Sequence, residues 1–284
     1  MDIEKIRALT TAPIVQHYDK RDTILFALGL GYGADPLDEA ELPFVYEKNL
    51  VCSPAYANIL CHPGFWAQDP QFGIDWIKIL HAEQHLVMHR PLPAKGALRG
   101  EYRVAGIEDK GKERGALLHQ EKDLLDELTG THLATVRSTL FLRGDGGQGG
   151  FGQAMPAAEP LPDRRPDRVV EVQTLSRQAL VYRLSGDWNP LHADPAIARK
   201  AGFAAPILHG LCTKGIANRA ILSAYCDNDV ARFRDMFVRF SKPVMPGETI
   251  RVEFFETGGR ELRFRAIAVE RGDIVLDRCS ATVA

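Results

Sequence analysis

The segment LSGDWNPLHADP, residues 184–195, places Asp187, Asn189 and His192 within six residues around Pro190. Gly186 and Pro190 both favour a bend, and on a bend side chains five positions apart can converge. A histidine beside a carboxylate can orient a water, take its proton and return it later. The same residues also read as a capped turn, in which Asp187 or Asn189 accepts backbone N–H groups. Spacing alone leaves the two readings level.

A second segment, PILHGLCTKG at 206–215, sets Gly210 at the start of an apolar stretch. The first N–H of a helix, with the helix dipole behind it, suits a developing oxyanion. Taken by itself, Gly210 reads more plainly as a close-packing residue. His81, His85 and His89 recur every fourth residue, but the order is H-A-E-Q-H and not the H-E-x-x-H of a zinc protease. Gly29, Gly31 and Gly33 give G-x-G-x-G, which is not the dinucleotide fingerprint, and the glycines after residue 143 lack the Lys-Ser/Thr of a phosphate loop. Lys110, Lys112 and Arg114 form a short basic cluster, either an exposed strand turn or a phosphate contact.

These residues need elements to hold them. HGLCTKGIANRAILSAYC, 209–226, carries Leu211, Ile216, Ala217, Ala220, Ile221 and Ala224 near helical spacing. Strand-like text follows, with clear alternation in RVEFFE and LRFRAIAVE around a GGR turn at 258–260. The first half repeats the outline: a candidate central helix at 55–65, AYANILCHPGF, and then strand-like runs from HAEQHLVMH to THLATVRSTLFLR. Between the halves, residues 144–168 are dense in Gly and Pro and lack apolar periodicity. The expected organisation is a first domain at 1–145, a connector at 146–167 and a second domain at 168–284. Each domain is an α+β unit with a curved antiparallel sheet around a helix, and the two sheets pair edge to edge.

The chain has 284 residues, 45% hydrophobic and 25% charged, with net charge −2. That composition is globular, and the charge gives no basic field to recruit nucleic acid. No apolar run approaches the ~20 residues of a membrane span. The charged N-terminal stretch has no signal-peptide core, and the C-terminal CSATVA is not a Ser-Lys-Leu address. Five scattered cysteines, none in a Cys-x-x-Cys pair, fit a reduced cytoplasm and disfavour a disulfide framework or zinc ribbon.

Together, YRLSGDWNPLHADP and GFAAPILHGLC resemble the signature of the type 2 enoyl-CoA hydratases, the MaoC-like hydratases. FALGLGYGADPLDEAELPFVYE, LHAEQHLVMHRPLP and IEDKGKE extend the resemblance to the long, two-domain form, similar to the hydratase unit of peroxisomal multifunctional enzyme type 2. The resemblance implies a double hot-dog fold with its catalytic site in the second half and an acyl pocket built by the first. It implies Asp187 and His192 as the catalytic pair, Asn189 as their support and the Gly210 N–H as the oxyanion donor. Substrate contacts implied are His81, Ala82, Lys110 and Phe240, with the loop residues Trp188, Pro190 and Leu191. Position 82 departs from the family, which has Gly there, and the Ala methyl is expected to narrow the pocket mouth. The expected reaction is reversible hydration of a trans-2-enoyl-CoA to the (3R)-3-hydroxyacyl-CoA, with no cofactor or metal and a homodimeric assembly. A hydratase for bulky steroid-type acyl groups, a hot-dog thioesterase and a silent acyl-CoA binder are the alternatives.

Overall fold

Period-2 alternation sets the sheet faces. In a computed structural model, which describes residues 1–153, 155 and 158–284, the strands are β1 (Ile14–Tyr18), β2 (Ile79–Met88), β3 (Gly96–Asp109), β4 (Ala116–Asp126), β5 (His132–Leu142), β6 (Arg168–Gln173), β7 (Phe233–Phe240), β8 (Thr249–Glu256), β9 (Glu261–Ala268) and β10 (Asp273–Val283). They form one antiparallel sheet in the order β1-β3-β4-β5-β2-β7-β10-β9-β8-β6. The two halves meet where β2 pairs with β7, in a register running from Glu83 opposite Arg239 to Val87 opposite Asp235. This is the expected edge-to-edge join, and it removes two exposed strand edges. Residues 154, 156 and 157 of the expected connector lie outside the described residues.

The helices are α1 (Ile3–Arg7), α2 (Lys20–Gly29), α3 (Leu42–Val45), α4 (Gln178–Tyr182), α5 (Pro195–Lys200) and α6 (Gly210–Tyr225). α6 is the central helix, with Cys212, Ile216, Ala217, Ile221 and Leu222 wholly buried. Both halves clasp it. Gly215 of α6 lies so close to Leu30 that a Cβ there would clash. Gln178 donates to the Gly29 carbonyl at 2.7 Å, and Arg219 pairs with Glu41 across the halves in a largely buried position. One apolar core accordingly runs from Phe26 and Tyr56 through α6 to Phe254 and Phe264.

The central helix expected at 55–65 is not formed. Pro54–Asn58 makes only a 3-10 turn, after which Cys61 takes a left-handed φ of 52° and Pro63-Gly64 breaks the chain. Lys122 of β4 replaces the missing helical hydrogen bonds: its buried Nζ donates to the carbonyls of Ala57, Asn58 and Leu60. Burial pushes this ammonium down to about 8, and the three carbonyls satisfy its donors. The place of a second central helix is left as a cavity.

A fragment of residues 168–284 should therefore aggregate or dimerise abnormally. It would expose the β7 edge and the α6 face, and it would strand buried Lys214, whose Nζ donates to Asn58 Oδ1 at 2.9 Å. Size-exclusion chromatography of the fragment checks this, and a stable, well-folded monomer would contradict it.

Candidate active site

The 184–195 loop is built from small caps. Gly186 turns the chain with φ of 130°, a conformation that L side chains rarely adopt. The Asn189 N–H donates to Asp187 Oδ1 at 3.3 Å, and the Leu191 N–H donates to Asn189 Oδ1 at 3.0 Å. Asn189 thereby caps the 3-10 turn Pro190–His192. The capped-turn reading of this segment holds, and the caps set the direction of its side chains. Asp187 and His192 converge, together with His209, so that one ligand atom of each lies within 4.8 Å of the others. Donors so spaced can share one water or one cation.

His192 is buried, and its Nδ1–H donates to the Ile207 carbonyl at 2.8 Å. A carbonyl can only accept, so the neutral ring keeps its lone pair on Nε2. Burial lowers the imidazole from its ordinary value, with the Ile207 bond and Asp187 acting against this and Arg183 with it. His209 stacks on His192 with ring centroids 3.7 Å apart, and its Nε2–H donates to the Asp187 carbonyl at 3.2 Å. Burial first, then its neighbour His192, holds His209 well below the ordinary imidazole range. His209 Nδ1 has no hydrogen-bond partner among the described residues.

His209 is also the residue before α6, and its side chain does not cap the helix. The first intrahelical donor of this end is Thr213, whose N–H reaches the His209 carbonyl at 3.1 Å. The N–H groups of Gly210, Leu211 and Cys212 precede it and have no helical acceptor. A Cβ on Gly210 would stand 3.2 Å from the Phe240 ring, so a side chain would push against the end of β7. Phe240 in turn packs on His81, with centroids 4.8 Å apart.

A cavity of about 320 Å³ opens in front of these groups. Asp187, Asn189 and Leu211 line it from the second half, and His81, Asn58 and Gln84 are among its walls from the first. His81 Nε2 faces Gln84 Oε1 at 2.8 Å, and burial pushes this imidazole down to about 4. Other expected contacts lie apart. Ala82 occupies the register shift between His81 and Glu83 and is not among the residues lining the cavity, and neither are His192, Gly210 and Phe240. Lys110 also lies outside the wall, half-exposed and ion-paired with Glu108. Trp188 is exposed beneath the Arg183 guanidinium, 4.7 Å from its ring centre, while Pro190 is exposed and Leu191 half-buried.

Two further histidines lie at the site with little signal in the sequence. His209 was signalled only by standing between an apolar run and Gly210. His62 lines the cavity from the first half, with its Nδ1 accepting the Gly64 N–H at 3.0 Å. Nothing local marks it, because its place depends on the broken helix before it.

The family model described as "MaoC like domain" matches residues 157–278, and "MFE-2 hydratase 2 N-terminal domain" matches 16–144. The chain is 38% identical to "Enoyl-CoA hydratase 2, peroxisomal" of Arabidopsis thaliana, over 91% of this chain and 88% of that protein. It is 39% identical to "Peroxisomal multifunctional enzyme type 2" of Mus musculus, over 91% of this chain, but spans only 35% of that longer protein. The crystal structure of a MaoC-like dehydratase from Phytophthora capsici superimposes with a TM-score of 0.88 at 36% identity, covering 100% of this chain and 99% of that one. A capped loop carrying an acid and a neutral histidine, an open helix end and a double hot-dog sheet thus coincide with matches to both halves, and the chain belongs to the MaoC-like hydratases of the enoyl-CoA hydratase 2 type.

Proposed function

We propose that the chain is an (R)-specific 2-enoyl-CoA hydratase that adds water reversibly to trans-2-enoyl-CoA to give (3R)-3-hydroxyacyl-CoA. The observation that supports this reading is that Asp187, which lies beside His192 and His209, and Leu211 in the uncapped first turn of α6 line one cavity. A water held by the Asp187 carboxylate and His192 Nε2 gives up a proton as its oxygen bonds to C3. The C2=C3 electron pair shifts toward the thioester, whose oxygen takes the negative charge of an enolate. The Gly210 N–H and the helix dipole stabilise that oxygen, a contribution of roughly 3–4 kcal/mol in comparable oxyanion sites. The enolate then collapses as C2 takes the proton that the Asp187–His192 pair accepted from the water, which restores the carbonyl and returns both side chains to their starting state. The thioester itself is the electron sink.

Within this reading, residues 168–284 supply the chemistry and residues 1–145 the acyl pocket, joined through 146–167. Trp188, Pro190 and Leu191 shape the entrance, and Lys110 with Lys112 and Arg114 offers charge to the phosphates of the CoA moiety. The five cysteines are free and buried, which fits a reducing cytoplasm. No helix among the described residues is long and apolar enough to cross a membrane. A homodimer is the assembly that the family resemblance suggests. No feature of the site favours a thioesterase or a silent binder, and both Asp187 and His192 are in place.

Asp187→Asn and His192→Gln should each lower kcat about 100-fold or more with little change in thermal unfolding. Because both act on one water, the double variant should be little worse than either single one. Steady-state kinetics on trans-2-butenoyl-CoA decides the matter, and near-normal turnover by either variant removes that residue from the mechanism.

Burial lowers His192, so the ring stays neutral as pH falls through the ordinary imidazole value of 6.5 and charges only below it. If the neutral ring is the base, the acid limb of kcat/KM should lie below pH 6.5. A pH–rate profile with its acid limb at or above that value would show that a different group governs activity.

A further inference from the structure

The cavity wall carries a band that its surroundings do not explain. Inward-facing positions of β4 and β5 run through Leu118, Leu124, Val136 and Leu140, as a core requires. Between them lies a polar rung: Gln84 on β2 stands opposite Ser138 on β5, which stands opposite Gln120 on β4. All three face the cavity. The flanking rungs are mixed: Leu86 and Lys122 stand opposite Val136 on one side, and His81 and Leu118 stand opposite Leu140 on the other.

The hydrogen bonds of this rung have a direction. The Trp66 indole N–H, which can only donate, reaches Tyr102 Oη at 2.6 Å. The Tyr102 hydroxyl donates to Gln120 Oε1, and Gln120 Nε2 donates to Ser138 Oγ at 2.7 Å. The chain of donors ends at the Ser138 hydroxyl, whose proton has no acceptor among the described residues. Beside it Gln84 is already committed, its Oε1 to His81 and its Nε2 to Asn58 Oδ1 at 3.1 Å. Lys122 is saturated by three carbonyls and offers nothing to the cavity.

A plain alkyl chain pressed against this rung would strip water from Ser138 and Gln120 without replacing it, an unfavourable exchange. An oxygen on the acyl chain would accept the Ser138 proton and complete the relay. We propose that Ser138 and Gln120 determine specificity and that the pocket takes enoyl-CoA thioesters bearing an oxygen function, a hydroxyl or carbonyl, on the acyl chain away from the thioester. The proposal rests on the hydratase reading given above and names the substrate class of that same site.

The test measures kcat/KM for matched pairs of trans-2-enoyl-CoA thioesters from six to twelve carbons, each with a terminal methyl or a terminal hydroxymethyl group. Butenoyl-CoA, too short to carry such a group, is the reference for every protein form. At one or more lengths the hydroxylated member should exceed its plain partner about tenfold or more, one hydrogen bond's worth of preference. In Ser138→Ala, and separately in Gln120→Leu, that ratio should collapse toward one after each variant's rates are divided by its own butenoyl-CoA rate. Preference for the plain chain at every length would overturn the proposal, as would a ratio untouched by both substitutions. Failure to hydrate any member of the series, plain or hydroxylated, would instead overturn the hydratase reading, so the two failures are distinguishable.

Discussion

The pairing of β2 with β7 is the constraint on which the site depends. It makes one sheet of two halves, and it brings His81 of β2 against Phe240 of β7. Phe240 then bears on Gly210, so the seam fixes where the exposed end of α6 points. Asn58 and Lys214 add a buried hydrogen bond across the same seam, and Leu30 closes on Gly215 from the other side of α6. The chemistry-bearing loop belongs wholly to the second half, yet its cavity has walls only because the first half is docked there. Neither half alone lines the whole cavity.

A division of labour follows from the unequal halves. In the second, a full helix fills the curve of the sheet and begins beside the cavity, with Leu211 on its wall. In the first, the corresponding segment is cut to a 3-10 turn held by Lys122, and the space it gives up becomes the cavity. The cost of keeping this space is visible in buried Lys122, Gln84 and Asn58 around it, each tied to a backbone or side-chain partner. Burial in the same low-dielectric surroundings lowers the His192 imidazole, and under the proposed mechanism it strengthens the pull of helix dipole and N–H on a developing enolate.

Much of this was legible in the sequence. Alternation in 251–256 and 262–270 marks β8 and β9, and the spacing of Leu211, Ile216, Ala217 and Ala220 marks α6. Asp187, Asn189 and His192 stood out because a bend can gather neighbours, and a local turn does gather them. Residues gathered by distant contacts left little trace. The apolar text of 55–65 reads as a helix, but its fate was decided by Lys122, more than sixty residues on, and by Pro63-Gly64. The short edge strands β1 and β6 carry too few residues for a period to show. His62 and His209 reach the site through tertiary packing, and the Gln84–Ser138–Gln120 rung exists only once three strands are in register. Ala82 and Lys110, taken from family resemblance, sit off the cavity wall, so their place in substrate binding rests on the resemblance and on the charge of their surroundings.

The central claim is that this cavity adds water to an enoyl thioester without cleaving it. The direct measurement is incubation of the full chain with trans-2-butenoyl-CoA, followed by chiral separation of the acyl product and titration of free CoA thiol. The account predicts (3R)-3-hydroxybutanoyl-CoA as the hydration product, with no thiol released. Predominant (3S) product, or thiol release in step with substrate loss, would contradict it.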